Sequence, residues 1–361
     1  MDKINIFESK IERLKQSPIY AMSLGSKELF HSNFWAWLID NNHIFAKVFF
    51  PNIDASMIDW VGRECKHRDV SIYMKDQSCY VIENKIKSIP MNEQLIKYYE
   101  NTKKFEHGIL SGIKETLDIE DKEHWSFLSY ENISKNIRNI LTSNDKIIIH
   151  TNEKLIYDYC DILLLLSDVV LDSLEQTEGI LEYNTRHLAD IRFDDVYKKF
   201  KSEEFLQKYL INSSELHDIV PSGFKLITRT DFSHKHAIID IRFDMQDKIV
   251  IGVQIEGNQF RIVAQKNIPN NCNEVYNDFL EYEWFDSNYD KLNHIFIFDN
   301  ETSMRPRNGK TFNKYETSRY SFVYQYFNLT DQTKQYDVLY KMILKYMNEA
   351  SKIASSISKN I

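Results

Sequence analysis

Three closely spaced ionisable residues, Asp69, Glu83 and Lys85, are of the types needed for hydrolysis at phosphorus. Between them, Val70, Ile72 and Met74 alternate with Ser71, Tyr73 and Lys75, the period-two pattern of a half-buried strand. Asp76, Gln77 and Ser78 read as a tight turn, and Cys79, Tyr80, Val81 and Ile82 as a bulky, buried second strand. Because side chains alternate along a strand, Glu83 and Lys85 leave it on one face, beside Asp69, while Asn84 points to the other. Carboxylate oxygens are hard ligands suited to Mg²⁺, which keeps several waters and is held by one or two carboxylates plus substrate phosphate. A lysine two residues on can orient a water against phosphorus and stabilise the anionic transition state.

The elements around this pair extend the pattern. A helix running to about residue 105 carries Gln94 and Tyr98 one turn apart, and residues 57–65 read as a strand leading into Asp69. Asp69, then Glu83-x-Lys85, then Gln94-x-x-x-Tyr98 resembles the core of the PD-(D/E)xK nuclease superfamily. Upstream, Ser26 suits the N-cap of a helix over residues 26–39. On it Leu29, Phe30, Phe34, Trp37 and Leu38 supply an apolar stripe, and Glu28, His31 and Ser32 share another face. In the families this chain most resembles, a Glu on the first core helix, followed four residues later by Ser, joins the metal site. Glu28 and Ser32 match that pattern, although a Glu in a first helical turn also complements the helix dipole. His31 reads as a hydrogen-bonded structural residue, and Glu64 as a reserve carboxylate expected to pair with Arg63 or Arg68. Arg68 stands where the family has its Pro, a residue that carries no chemistry.

The resemblance covers residues 25–130. It implies a restriction-endonuclease-like α/β domain with a mixed central sheet flanked by helices. It also implies hydrolysis of nucleic-acid phosphodiesters, DNA ahead of RNA, with Mg²⁺ as cofactor and Mn²⁺ able to substitute. Glu28, Asp69 and Glu83 would hold the metal, Lys85 would act on the water, and Gln94 and Tyr98 would order the site. Proteins resembling this one are often bacterial or phage-related, which implies a role in defence.

A chain of 361 residues, 43% hydrophobic and with only 9 Gly and 6 Pro, is a globular sequence long enough for two domains. Its formal charge of −8 excludes wholesale attraction to nucleic acid, so such contact requires a local basic surface. Cys65, Cys79, Cys160 and Cys272 are far apart and form no C-x-x-C pair, so neither a zinc ribbon nor a disulfide framework is implied, and a reducing cytoplasm fits best. The first residues lack an apolar stretch with a cleavage site and read as an amphipathic helix with Ile6, Phe7, Ile11 and Leu14 on one face. Residues 162–166, the most hydrophobic run, are too few to span a bilayer and read as buried helix, so no membrane partner is expected.

The expected organisation is a nuclease-like domain over residues 1–180, a helical connector over 181–218 and an α+β domain over 219–361. The first continues with strands at 109–110 and 125–130, a helix at 131–141, a stretch at 146–150 that is strand or helix start, and a long helix ending near 178. In the last, strands are expected at 224–230, 237–243, 249–255, 259–264, 294–298 and 320–327, with helices at 274–282 and 334–357. The apolar positions of the final helix, Val338, Met342, Leu344, Tyr346 and Ile353, follow no perfect stripe. Residues 301–319 form the most basic, loop-like segment: Arg305, Arg307, Lys310, Lys314 and Arg319 are interleaved with Phe312 and Tyr315, a composition that can grip phosphates and stack bases. Asp240, Glu256 and Asn258 faintly repeat the Asp69, Glu83, Lys85 pattern without its cation. Two other function classes fit the same residues: a catalytically inactive nucleic-acid-binding module, and a protein-interaction scaffold that keeps the fold.

Overall fold

The computed structural model describes residues 3–24, 27–65, 68–86, 92–100, 105–115, 119–143, 152–182, 186–233, 236–246, 248–285 and 312–360. The chain divides into two compact units, residues 1–176 with 185–197, and residues 177–184 with 198–361.

The first unit opens with α1 (Lys3–Gln16), α2 (Pro18–Ser23) and α3 (Lys27–Asn41). A five-stranded sheet follows, β1 (Ile58–Arg63), β2 (Val70–Met74), β3 (Cys79–Asn84), β4 (His107–Gly112) and β5 (Trp125–Ser129), in that spatial order. Strands β1 to β3 are antiparallel, whereas β4 runs parallel to β3 and β5 parallel to β4. A parallel neighbour requires a crossover, and α4 (Asn92–Glu100) lies in the one between β3 and β4. Both sheet faces are therefore apolar. Val70, Ile72 and Ile82 are buried on the side of α3, while Cys79, Val81 and Leu110 pack with Leu95 of α4, Phe105 and Trp125. The helices α5 (Tyr130–Thr142) and α6 (Glu153–Gln176) complete the layer, and residues 162–166 lie in α6 with all but Leu164 fully buried.

Two faces differ from expectation. Leu29 is exposed on α3, and the buried side carries His31, Ser32, Trp35, Leu38 and Ile39. Apolar residues run nearly all round this helix, so periodicity does not select a face. The two polar residues go inside because each finds a partner: Tyr159 Oη lies 3.0 Å from His31 Nδ1, and Ser32 Oγ donates to the Glu28 carbonyl at 2.8 Å. On α1, Ile11 and Leu14 are buried but Ile6 is left exposed. Residues 146–150 lie outside the described residues.

The helices α7 (Arg186–Asp190), α8 (Asp194–Phe205) and α9 (Ser214–Asp218) fall within residues 181–218. The second unit is a six-stranded antiparallel sheet of β6 (Lys225–Ser233), β7 (His236–Met245), β8 (Ile249–Glu256), β9 (Gln259–Lys266), β10 (Asn313–Glu316) and β11 (Ser321–Asn328). Its spatial order is β10-β11-β9-β8-β7-β6, and α10 (Cys272–Glu281) and α11 (Tyr336–Asn360) pack with it. Alternate residues such as Ile239, Ile241, Ile251, Val253 and Ile262 form its core. Contrary to expectation, α11 does carry a regular stripe, Leu339, Met342, Ile343, Tyr346, Met347, Ala350, Ala354 and Ile357. Two alanines belong to it where the helix needs small side chains against the sheet, which is why a search for bulky residues misses it. The echo of the first unit's motif does not extend to topology, because β7 to β9 form an antiparallel meander. Residues 294–298 lie outside the described residues.

Candidate active site

The geometry begins with the β2–β3 turn. Asp76 Oδ1 accepts from the Ser78 amide at 2.9 Å and its hydroxyl at 2.6 Å, and Gln77 takes a φ of +73°. This turn sets a register that pairs Val70 with Ile82, so Asp69 and Glu83 face each other at the far end of the hairpin. The Asp69 amide donates to Glu83 Oε2 at 3.3 Å, and the Asn84 amide donates to Asp69 Oδ2 at 2.7 Å. Lys85 Nζ lies 2.8 Å from Glu83 Oε1, and the Tyr98 hydroxyl of α4 donates to the same oxygen at 3.4 Å. Glu83 is only 3% exposed.

Asp69, Glu83, Lys85 and Tyr98 thus meet, and the charge of Glu28, in the first turn of α3, contributes to the field at Lys85. Gln94 lies in α4 one turn before Tyr98, with its side chain outside the described residues. Ser32 turns back to its own helix, as described above, and not toward the carboxylates. Glu64 does not form the expected ion pair. Arg63 donates to Asn33 Oδ1 at 2.6 Å and to the Asp69 carbonyl, while Arg68 is buried, donating to the Tyr98 carbonyl at 3.4 Å with its guanidinium 5.0 Å from the Phe105 ring centre. Both arginines brace the backbone of the site.

Burial, and then the nearby charge of Glu83, push the Asp69 carboxyl up to about 6, against the opposing pull of the Asn84 amide, Lys85 and Arg63. For Lys85, burial works against the charged form, but attraction and hydrogen bonding to Glu83, with the fields of Tyr98 and Glu28, together outweigh it and hold the ammonium above its ordinary range. A raised acid in the folded state binds more protons than the unfolded chain, so its contribution to stability is present below the usual aspartate range and is lost as pH rises through about 6. A divalent cation held by Asp69 and Glu83 would relieve that cost. If Asp69 is a metal ligand, thermal melts at pH 5 and pH 8 should show a larger Mg²⁺-induced rise in Tm at the higher pH; an equal rise at both would exclude Asp69 as a ligand.

Two positioning residues escape sequence reading. Asn84, 1% exposed, donates from Nδ2 to the Glu28 carbonyl at 2.9 Å, and its Oδ1 accepts from Tyr130 at 2.8 Å and Ser111 at 3.4 Å. It ties the first turn of α3 to β3. The available signal was an amide at the end of an apolar strand, a place where a buried polar group must be fully partnered. Gly112 is the second: the Lys85 amide donates to the Ser111 carbonyl at 2.8 Å, and a Cβ on Gly112 would stand 2.7 Å from the Lys85 carbonyl.

Part of the basic segment is strand and not loop. Lys314 lies not in a loop but in β10, its ammonium 3.1 Å from both Glu316 oxygens, so its charge is already engaged. Arg319 sits exposed in the turn before β11, and Arg305, Arg307 and Lys310 lie outside the described residues. In the second unit Asp240 is enclosed by Arg242, Arg229 and Gln254, and Glu256 pairs with Arg261.

Among the described residues no group of three or more His, Cys, Asp or Glu side chains is placed to hold a metal ion, so Glu28 is not brought into a three-carboxylate cluster with Asp69 and Glu83. Asp69 and Glu83 nevertheless fit Mg²⁺, which needs one or two carboxylates and keeps its waters. The two carboxylates face each other across the end of the hairpin, and the Asp69 carboxyl is raised first by burial and then by the Glu83 charge, despite Lys85 and Arg63 nearby. All four cysteines are free thiols, and no described helix is long and apolar enough to cross a membrane. Against known proteins, no family model matches the chain, and neither does any curated protein or solved structure.

Proposed function

We propose that the first unit is a restriction-endonuclease-like domain and that the protein is a metal-dependent nuclease acting on phosphodiester bonds, DNA ahead of RNA. The observation that carries this reading is the meeting of Asp69, Glu83 and Lys85 at one end of the β2–β3 hairpin, with Lys85 2.8 Å from Glu83. Asp69 and Glu83 would hold Mg²⁺, with Glu28 acting on the site through its charge at Lys85. When bound, the ion supplies Lewis acidity at the scissile phosphate and lowers the pKa of a coordinated water. Lys85, kept protonated by Glu83, orients the attacking water and neutralises charge developing on the phosphoryl oxygens. Tyr98 donates to Glu83, and Asn84 ties the backbone of Glu28 to β3.

Incubation with linear, circular and single-stranded DNA and with RNA, in Mg²⁺, Mn²⁺, Ca²⁺ or EDTA, tests the reading. Cleavage is expected in Mg²⁺ and Mn²⁺ and absent in EDTA. Ca²⁺ should support binding with little cleavage, since its looser shell positions water poorly. Hydrolysis in excess EDTA contradicts the metal mechanism, and Ca²⁺ activity equal to that in Mg²⁺ contradicts the geometry. The close Lys85–Glu83 pair favours a second reading, in which the site neutralises itself and the domain only binds nucleic acid. Binding in every metal without cleavage in any would select it.

A further inference from the structure

The edge strand β1 carries a tryptophan that the core does not use. Trp60 is 46% exposed and lies flat on Tyr73, the ring centres 4.1 Å apart and the planes 12° from parallel. Its orientation is set by an irregularity in the ladder: Ile58 pairs with Met74, yet Trp60 pairs with Tyr73, so an extra residue intervenes on β1. Without that bulge, strand alternation would turn Trp60 to the same side as Ile58, the face packed against α3. With it, Trp60 joins Tyr73, Ser71 and, by alternation, Asp69 and Glu83 on the opposite face. Gly62 makes room for the ring, because a Cβ there would stand 2.7 Å from a Trp60 ring carbon.

A flat indole backed by a second ring, with nearly half its surface exposed, offers a π-face about 13 Å along β2 from Asp69, four residues at the rise of a strand. That separation spans a few nucleotides. A chain of net charge −8 gains little from bulk phosphate attraction, so an uncharged contact is the kind of affinity it can supply. Bases in a duplex are already stacked on their neighbours, whereas an unpaired base presents a free face. We propose, on the nuclease reading above, that the Trp60–Tyr73 stack is a platform for an unpaired nucleobase of the substrate strand, a few nucleotides from the scissile phosphate. The substrate class is then a single strand or a frayed or gapped duplex.

The test is binding by the full chain in Ca²⁺, with fluorescein-labelled oligothymidylate and a blunt duplex as probes. Oligothymidylate should quench tryptophan emission, and Trp60→Ala should weaken its binding about tenfold. Trp60→Phe should retain most of the affinity, and Gly62→Ala, which displaces the ring without removing it, should behave like Trp60→Ala. Binding of the blunt duplex should be unchanged, and circular dichroism melts of Trp60→Phe control for folding. Wild-type affinity for oligothymidylate in Trp60→Ala overturns the platform while leaving the nuclease reading intact. So does a fall in the sedimentation coefficient of the free protein on Trp60→Ala, since the ring would then serve a second copy of the chain. Failure of the wild type to bind either probe overturns the nuclease reading itself.

Discussion

Lys85→Ala is expected to lose at least about a hundredfold in cleavage rate while keeping its fold, the scale seen when one preorganised donor to a developing oxyanion is removed. The lysine is the only cation within ion-pair distance of Glu83 among the described residues, and Glu83 is almost wholly buried. Its deletion leaves two facing carboxylates, Asp69 and Glu83, in a place where burial and the Glu83 charge already raise Asp69. The variant should therefore gain more Tm from Mg²⁺ than the wild type does, even as turnover falls. Single-turnover cleavage and parallel melts separate these effects. Asp69→Ala and Glu83→Ala should lose cleavage to a similar extent, because the members of one constellation act as a unit. Full activity in Lys85→Ala would refute the role given to the lysine.

Asp240→Ala should destabilise the second unit by about 3–5 kcal/mol, the cost of removing one partner from a buried ion pair. Asp240 is 2% exposed in the middle of β7, and its carboxylate is shared by Arg242, Arg229 and the Gln254 amide. Arg229 is largely exposed and can return to water, so the cost falls on Arg242 and Gln254, which cannot. Urea denaturation measures the loss, and the folded fraction should cleave at the wild-type rate. Loss of catalysis with fold and DNA affinity intact would instead place the active site in the second unit.

The sequence by itself determined the hairpin and where its ionisable residues fall. Period-two alternation from Val70 to Met74, the Asp76-Gln77-Ser78 turn and the apolar run before Glu83 are local signals, and they suffice to bring Asp69, Glu83 and Lys85 to one end of two strands. Strands β6 to β9 and β11 of the second unit were legible for the same reason, whereas β10 was not. The tertiary structure decided which side of α3 is buried, because a helix apolar nearly all round has no preferred face until a sheet and Tyr159 are set against it. It decided that Lys314 is paired in a strand, since Glu316 becomes its neighbour only once β10 is extended. It gave Asn84 its role, because the Glu28 carbonyl, Ser111 and Tyr130 come from three distant stretches of chain. And it turned Trp60 toward the face of Asp69, because a bulge is a property of two strands in register and leaves no mark on either strand alone.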